Sequence, residues 1–153
     1  MRVTTLYAAT ASATALYYTR YLTQADGEAP GVWMGRQAAG LGLSGDVTTE
    51  ALQALLEGHD PITGATLGNP LLYRVTSTGQ VVRAVAGFDA TFSAPKSLSV
   101  WWALSGDEGL AECHDVAAAA VVDWVERYGS TTRIRCDGRR LHPDSHGLTV
   151  AVF

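Results

Sequence analysis

Apolar and polar positions alternate from Met1 to Tyr7 (Arg2-Val3-Thr4-Thr5-Leu6-Tyr7), the two-residue period of a half-buried first strand. The pattern then changes. Ala11 to Leu22 is Ala-rich and predicts a helix, with Ser12 or Thr10 as its cap and Tyr17 and Tyr21 sharing a face. Gln24 to Gly31 carries Asp26-Gly27 and Pro30-Gly31 and reads as a turn-rich loop, which Trp33 is expected to anchor on the core. A short helix from Arg36 to Leu41 stops at Gly42, and Ser44-Gly45-Asp46 makes the next turn. Thr48 or Thr49 caps a helix from Glu50 to Glu57, with Leu52, Leu55 and Leu56 as its apolar stripe and Gly58 as its stop.

The second half follows the same logic. His59 to Pro70 is a loop by its Gly and Pro content. Leu71 to Val75 and Val81 to Phe92 read as a strand pair joined around Thr78-Gly79. Pro95 suits the first turn of a helix that runs to Ser105 with Leu98, Trp101, Trp102 and Leu104 as its apolar set. Gly109 to Tyr128 is the longest predicted helix, with Val116, Ala120, Val121, Trp124 and Val125 expected inward. Thr131 to Arg135 and Leu148 to Phe153 close as two strands around the polar loop Asp137 to Gly147. No repeat, low-complexity tract or second domain interrupts this order.

Composition narrows the class. The chain has 153 residues, of which 47% are hydrophobic and 17% charged, which points to one packed globule and away from disorder. No apolar run reaches the length of a membrane span, and the N-terminus has no signal-peptide core, so no membrane partner is expected. Cys113 and Cys136 make no disulfide framework, and a cytoplasmic setting is the expectation. The net charge of −4 speaks against broad nonspecific binding to nucleic acid. Its distribution changes that picture: six acids (Asp107, Glu108, Glu112, Asp115, Asp123, Glu126) face one base, Arg127, within residues 106–128, whereas Arg133, Arg135, Arg139 and Arg140 cluster later. The acidic helix is expected to face solvent or a partner, away from any DNA.

Two stretches carry chemistry. Gly87 to Val100 places a carboxylate, Asp89, on a strand that feeds a helix start bearing Lys96 and Ser97. Free N–H groups, the positive end of the helix dipole and an ammonium together suit a phosphate. A plain strand-turn-helix corner with a solvated lysine fits the same residues. Tyr17 and Tyr18 are adjacent on a helix and point about 100° apart, so one can be buried while the other stays available as a nucleophile. An aromatic face packed into the core is the alternative. His142 and His146 share i,i+4 spacing but lie among loop residues, and Cys113 and Cys136 are too far apart for a zinc finger. Lys96-Ser97 lacks the glycines of a nucleotide-binding loop, because Ser93-Ala94-Pro95 precede it.

Together these stretches resemble the N-terminal domain of conjugative relaxases of the MobF (TrwC-like) family. The likeness rests on Tyr17-Tyr18, on Trp33-Met34-Gly35-Arg36-Gln37-Ala38-Ala39 with Leu41-Gly42-Leu43-Ser44-Gly45, on Leu55-Leu56-Glu57-Gly58, and above all on Gly87-Phe88-Asp89 with Thr91-Phe92-Ser93-Ala94-Pro95-Lys96-Ser97 and Ser99. It runs in order over essentially the whole chain. The resemblance implies an α+β fold, an antiparallel sheet with helices mainly on one face. It also implies a domain of the HUH endonuclease class that nicks single-stranded DNA at a transfer origin, site- and strand-specifically, in plasmid transfer.

In that family a tyrosine, here Tyr17 with Tyr18 as its pair, attacks the scissile phosphate and keeps the 5′ end. The aspartate in the position of Asp89 orients a metal-binding histidine and assists tyrosine deprotonation. Lys96, Ser97, Arg133 and Arg135 are the expected DNA and phosphate contacts, and single-stranded origin DNA and other relaxosome proteins are the expected partners. The family's divalent metal sits on three histidines that begin just past the strand Leu148–Phe153. Residues 1–153 are therefore expected to form a single, partial relaxase domain, incomplete at its C-terminus, which binds no metal and cleaves little or nothing alone. A noncatalytic single-stranded-DNA-binding remnant and a pseudogene product without function are the alternatives.

Overall fold

A computed structural model describes residues 2–22, 30–68, 74–132, 134–136, 139–141 and 145–153. The chain opens with strand β1 (Arg2–Tyr7), a 3-10 turn (Ala8–Thr10) and helix α1 (Ala11–Leu16), which passes into a π turn (Tyr17–Leu22). Strand β2 (Val32–Met34) and helices α2 (Arg36–Gly40) and α3 (Thr49–Leu56) follow. Then come β3 (Arg74–Val75), β4 (Val81–Val82), β5 (Val85–Thr91), α4 (Lys96–Ser105), α5 (Glu108–Tyr128), β6 (Ile134–Cys136), β7 (Arg139–Leu141) and β8 (Val150–Val152). The described strands form four antiparallel pairs, β1–β5, β2–β8, β3–β4 and β6–β7, in an α+β arrangement.

The core lies where α1 crosses α3. Ala11, Ala15, Val47, Leu52 and Leu56 are buried there, with Leu6, Tyr18, Trp33, Ala86 and Ala151 packed against them. Ala11 and Ala15 stand one turn apart on α1, and their small side chains let the two helices approach closely. Thr48 caps α3 as expected, its hydroxyl accepting from the Ala51 N–H at 3.2 Å. Neither predicted cap of the first helix acts as one. The Thr10 hydroxyl turns back to donate to the Tyr7 carbonyl at 3.0 Å, and Ser12 lies inside the helix.

Four further expectations are corrected. The single strand Val81–Phe92 divides into β4 and β5, because its two ends serve different partners. β4 pairs with β3, whereas β5 pairs with β1, where the register shifts between Leu6 and Tyr7. The Ala8 N–H reaches the Ala84 carbonyl at this corner. In α5 the supposed inward residues Val116, Ala120 and Trp124 are exposed, and Glu126 is the residue the helix buries. The polar loop Asp137–Gly147 contains strand β7, paired with β6. Finally, Tyr17 and Tyr21 do not sit on an α-helical face, since the backbone there has widened to π geometry. Thr19 supplies a reason: its hydroxyl donates to the Ala15 carbonyl at 2.9 Å, the acceptor its own N–H would use in an α-helix. The side chain of Tyr21 lies outside the described residues, as does most of the predicted loop Gln24 to Gly31.

Candidate active site

The β1–β5 register sets one half of the site. Asp89 pairs with Thr4 and Gly87 with Leu6, so Asp89 projects on the same face as Leu6, toward the core. Phe88, one residue away, falls on the other face and is exposed. The α1–π segment sets the other half by bringing Tyr18 against that core. The Tyr18 hydroxyl donates a hydrogen bond to the Asp89 carboxylate.

The aromatic surroundings of Tyr18 are closed on two sides. Tyr17 meets it edge to face, with ring centroids 5.3 Å apart and planes at 81°. Phe153, the residue after β8, stacks on it at 5.3 Å and 29°. The two tyrosines therefore differ in the way adjacent helical positions allow. Tyr18 is half-buried and engaged with Asp89, whereas Tyr17 is 49% exposed.

Burial pushes the Tyr18 phenol well above its ordinary value of 10.0, and the hydrogen bond and negative charge of Asp89 push the same way. Because the folded value exceeds the unfolded one, the associated stability is complete below pH 10.0 and is lost as the pH rises past it. An absorbance titration at the phenolate band should show a strongly alkaline ionisation that Tyr18→Phe removes. Folding stability measured in urea should decline in the same alkaline window, and Tyr18→Phe should remove that part of the decline.

Lys96 and Ser97 open α4 from exposed positions, separated from Asp89 by the end of β5 and residues 92–95. Pro95 stands at the N-cap, and its carbonyl accepts from the Leu98 and Ser99 N–H groups. Arg133 lies outside the described residues; Arg135 lies on β6 with its side chain outside them. The structure thus brings together Tyr17, Tyr18 and Asp89 and leaves Lys96 and Ser97 as a separate, adjacent corner.

Metal donors are a different matter. Among the described residues no three His, Cys, Asp or Glu side chains converge closely enough to hold an ion. Asp89 alone does not fit the donor set of a divalent cation, which needs several ligands at once.

Two features of the site had little sequence signal. Phe153 read only as the end of an apolar strand, and its stack on Tyr18 follows from the β2–β8 pairing. Glu126 read as one acid among six on a solvated helix. In the structure its side chain is 8% exposed and accepts hydrogen bonds from the Arg36 N–H at 2.8 Å and the Leu148 N–H at 2.7 Å, with the Arg36 guanidinium at 3.4 Å. Gly35 and Gly147 line this clamp in left-handed conformations. A Cβ on Gly147 would lie 2.8 Å from the Glu126 Oε1, and one on Gly35 would lie 2.2 Å from the Leu148 carbonyl oxygen. Burial pushes the Glu126 carboxyl up, but the two backbone N–H groups and the Arg36 charge outweigh it and hold it below its ordinary value.

Comparison with known proteins gives a consistent match. The family model described as TrwC relaxase matches residues 3–153. The multifunctional conjugation protein TraI of Escherichia coli strain K12 is 38% identical over 121 residues, covering 79% of this chain and 6% of that protein. A metal-free structure of the conjugative relaxase TrwC in complex with oriT DNA superposes with a TM-score of 0.76 at 28% identity, covering 98% of this chain and 48% of that one. A metal-bound TrwC–oriT DNA structure gives 0.74 at 26% identity, with the same coverage. The chain therefore spans about half the length of the TrwC structures and a small part of TraI.

Proposed function

Because the chain belongs to the TrwC relaxase family, we propose that it carries the nucleophile-bearing half of a relaxase site for single-stranded DNA at a transfer origin. The observation that supports this is the pairing of Tyr18 with Asp89 beside an exposed Tyr17. In this reading the Tyr17 oxygen attacks the scissile phosphorus. A phosphotyrosyl bond forms, the bond from phosphorus to the 3′ oxygen breaks, and the 5′ end stays on the protein. Asp89 takes the phenolic proton and, now the acid, returns a proton to the departing 3′ oxygen, which leaves as a hydroxyl. One phosphoester replaces another, so the reaction can run in reverse to rejoin the strand.

Tyr18 serves the pair from behind. Its hydroxyl is committed to Asp89 and its phenol is held neutral, so it orients the carboxylate and supports the Tyr17 ring. The corner Lys96-Ser97 receives a backbone phosphate near the scissile one, and Arg133 and Arg135 are assigned to the strand's backbone. A divalent metal, as in the metal-bound TrwC structure, would supply charge at the phosphate, and its ligands are not among the described residues of this chain. Residues 1–153 act as one partial domain. The setting is the cytoplasm, and other proteins of the relaxosome assembled at the origin are further partners. No helix among the described residues is long and apolar enough to cross a membrane.

The purified chain and a single-stranded origin oligonucleotide test this reading. Binding should weaken as salt rises, and Lys96→Ala should lower the log–log salt slope by about 0.7, the share of one phosphate contact on a single strand. Covalent capture should be absent or nearly so. Binding that ignores salt sinks the DNA reading. Metal-dependent cleavage by these 153 residues sinks the claim that they form only part of the site.

A further inference from the structure

We propose that Gly31 and Phe153 form a seat that positions the ring of Tyr18, and so are positioning residues for the tyrosine pair. Val32 pairs with Val152 in the antiparallel β2–β8 ladder, so the next residues outward, Gly31 and Phe153, face each other at its end. A Cβ built on Gly31 would lie 2.5 Å from both Cδ1 and Cε1 of the Phe153 ring. Any side chain at Gly31 would occupy the space this ring fills.

The glycine is needed for room rather than for backbone freedom. Gly31 is absent from the positive-φ glycines of the chain, so its conformation is open to other residues. What its missing Cβ permits is the fold of the Phe153 ring across the Gly31 backbone, from where it stacks on Tyr18. Gly31 is also held in place, since its carbonyl accepts from the Val47 N–H at 2.6 Å, beside a core residue.

The far end of β8 is fixed as firmly. The Leu148 carbonyl accepts from the Gln37 and Ala38 N–H groups, and the Leu148 N–H donates to Glu126. A strand pinned at Leu148 and paired at Val150 to Val152 cannot slip by one residue without turning Phe153 to the other face. Tyr18 is thereby held at three points: by the stacked Phe153 ring, by the T-shaped contact with Tyr17, and at its hydroxyl by Asp89. Neither Gly31 nor Phe153 touches DNA in this scheme; they act through Tyr18.

This inference rests on reading Tyr17 and Tyr18 as the nucleophile-bearing pair, and the test separates the two. Aromatic NMR of the full 153-residue chain needs no DNA. The Tyr18 ring signals, assigned by their loss in Tyr18→Phe, should carry an upfield ring-current shift from Phe153. Phe153→Leu should remove that shift and speed the flipping of the Tyr18 ring by about tenfold or more, and Phe153→Tyr should restore both. Gly31→Ala should displace the same signals by expelling the ring, while Leu104→Ala, at an exposed position on α4, should leave them in place. Unchanged Tyr18 signals in a folded Phe153→Leu chain overturn the seat, as does failure of Phe153→Tyr to restore them. If the seat holds but the chain shows no salt-dependent DNA binding, the functional reading fails and the seat stands.

Discussion

Tyr17→Phe is expected to abolish the covalent DNA–protein adduct, whereas Tyr18→Phe should slow its formation without preventing it. The assay is a fusion in which residues 1–153 replace the matching half of the TrwC relaxase domain, incubated with origin single strand and a divalent metal. Adducts resist denaturing electrophoresis, and peptide mass spectrometry locates the phosphotyrosyl residue. The asymmetry follows from the surroundings of the two rings. Tyr17 is half exposed, whereas Tyr18 is packed between Tyr17 and Phe153 with its hydroxyl on Asp89. A buried phenol next to a carboxylate is a poor phenolate, because both burial and the neighbouring charge oppose the negative form. With Tyr17 as the proposed nucleophile, its loss leaves nothing to form the bond, whereas loss of Tyr18 leaves Asp89 on β5. Asp89→Asn should retain the geometry and lose the base, slowing the adduct by about 10²–10⁴-fold. An adduct that maps to Tyr18 in the unaltered fusion would reverse the assignment of roles.

Glu126→Ala should cost more stability than any other single truncation on α5. The Glu126 Oε1 accepts from the N–H groups of both Arg36 and Leu148. Removing it strands two half-buried donors, each worth about 1–3 kcal/mol when left without a partner, so a loss on the order of 3 kcal/mol is expected in urea unfolding. The ion pair with Arg36 adds little, since that guanidinium is 65% exposed. Glu126→Gln keeps an oxygen for both N–H groups and should cost about 1 kcal/mol. The pH dependence has a definite sign. The folded carboxyl lies below its ordinary 4.5, so its contribution is complete above that pH and is lost as the pH falls through the folded value. Glu126→Gln should therefore flatten the acid limb of the stability curve. An unchanged acid limb would show that other carboxylates carry it. The same clamp holds the start of β8, so Glu126→Ala should also disturb the Tyr18 ring signals that report on Phe153.

Local signals were the legible part of the chain. The strand at Arg2 to Tyr7, the Thr48 cap with Gly58 as stop, and Pro95 ahead of α4 each depend on neighbours within four residues, and each appears where the pattern places it, although burial along the strand runs from an exposed first half to a half-buried second rather than alternating. Asp89 and the tyrosine pair were found as separate stretches 71 and 72 residues apart in number, and the family resemblance, not spacing, joined them. What escaped depends on partners distant in sequence. The break between β4 and β5 is set by which strand each half pairs with. The depth of Glu126 is set by backbone donors on α2 and before β8. The place of Phe153 is set by a ladder partner some 120 residues earlier. The helical period of α5 was misleading for another reason. An apolar stripe shows that a face can be covered, and among the described residues Val116 and Trp124 on that stripe are open.

On the proposed DNA reading, that open stripe gives salt two opposed effects on this chain. Trp101, Trp102 and Leu104 on α4, with Trp124 and Tyr128 on α5, leave much aromatic and aliphatic surface in contact with water. Surface of this kind draws chains together, and an excluded anion such as sulfate strengthens the attraction. Contacts to a DNA backbone respond the other way, weakening as added ions remove the gain from counterion release. Light scattering should therefore rise with ammonium sulfate over the range in which strand binding falls. Sodium chloride at modest concentration should separate the two, releasing DNA while leaving the chain dispersed.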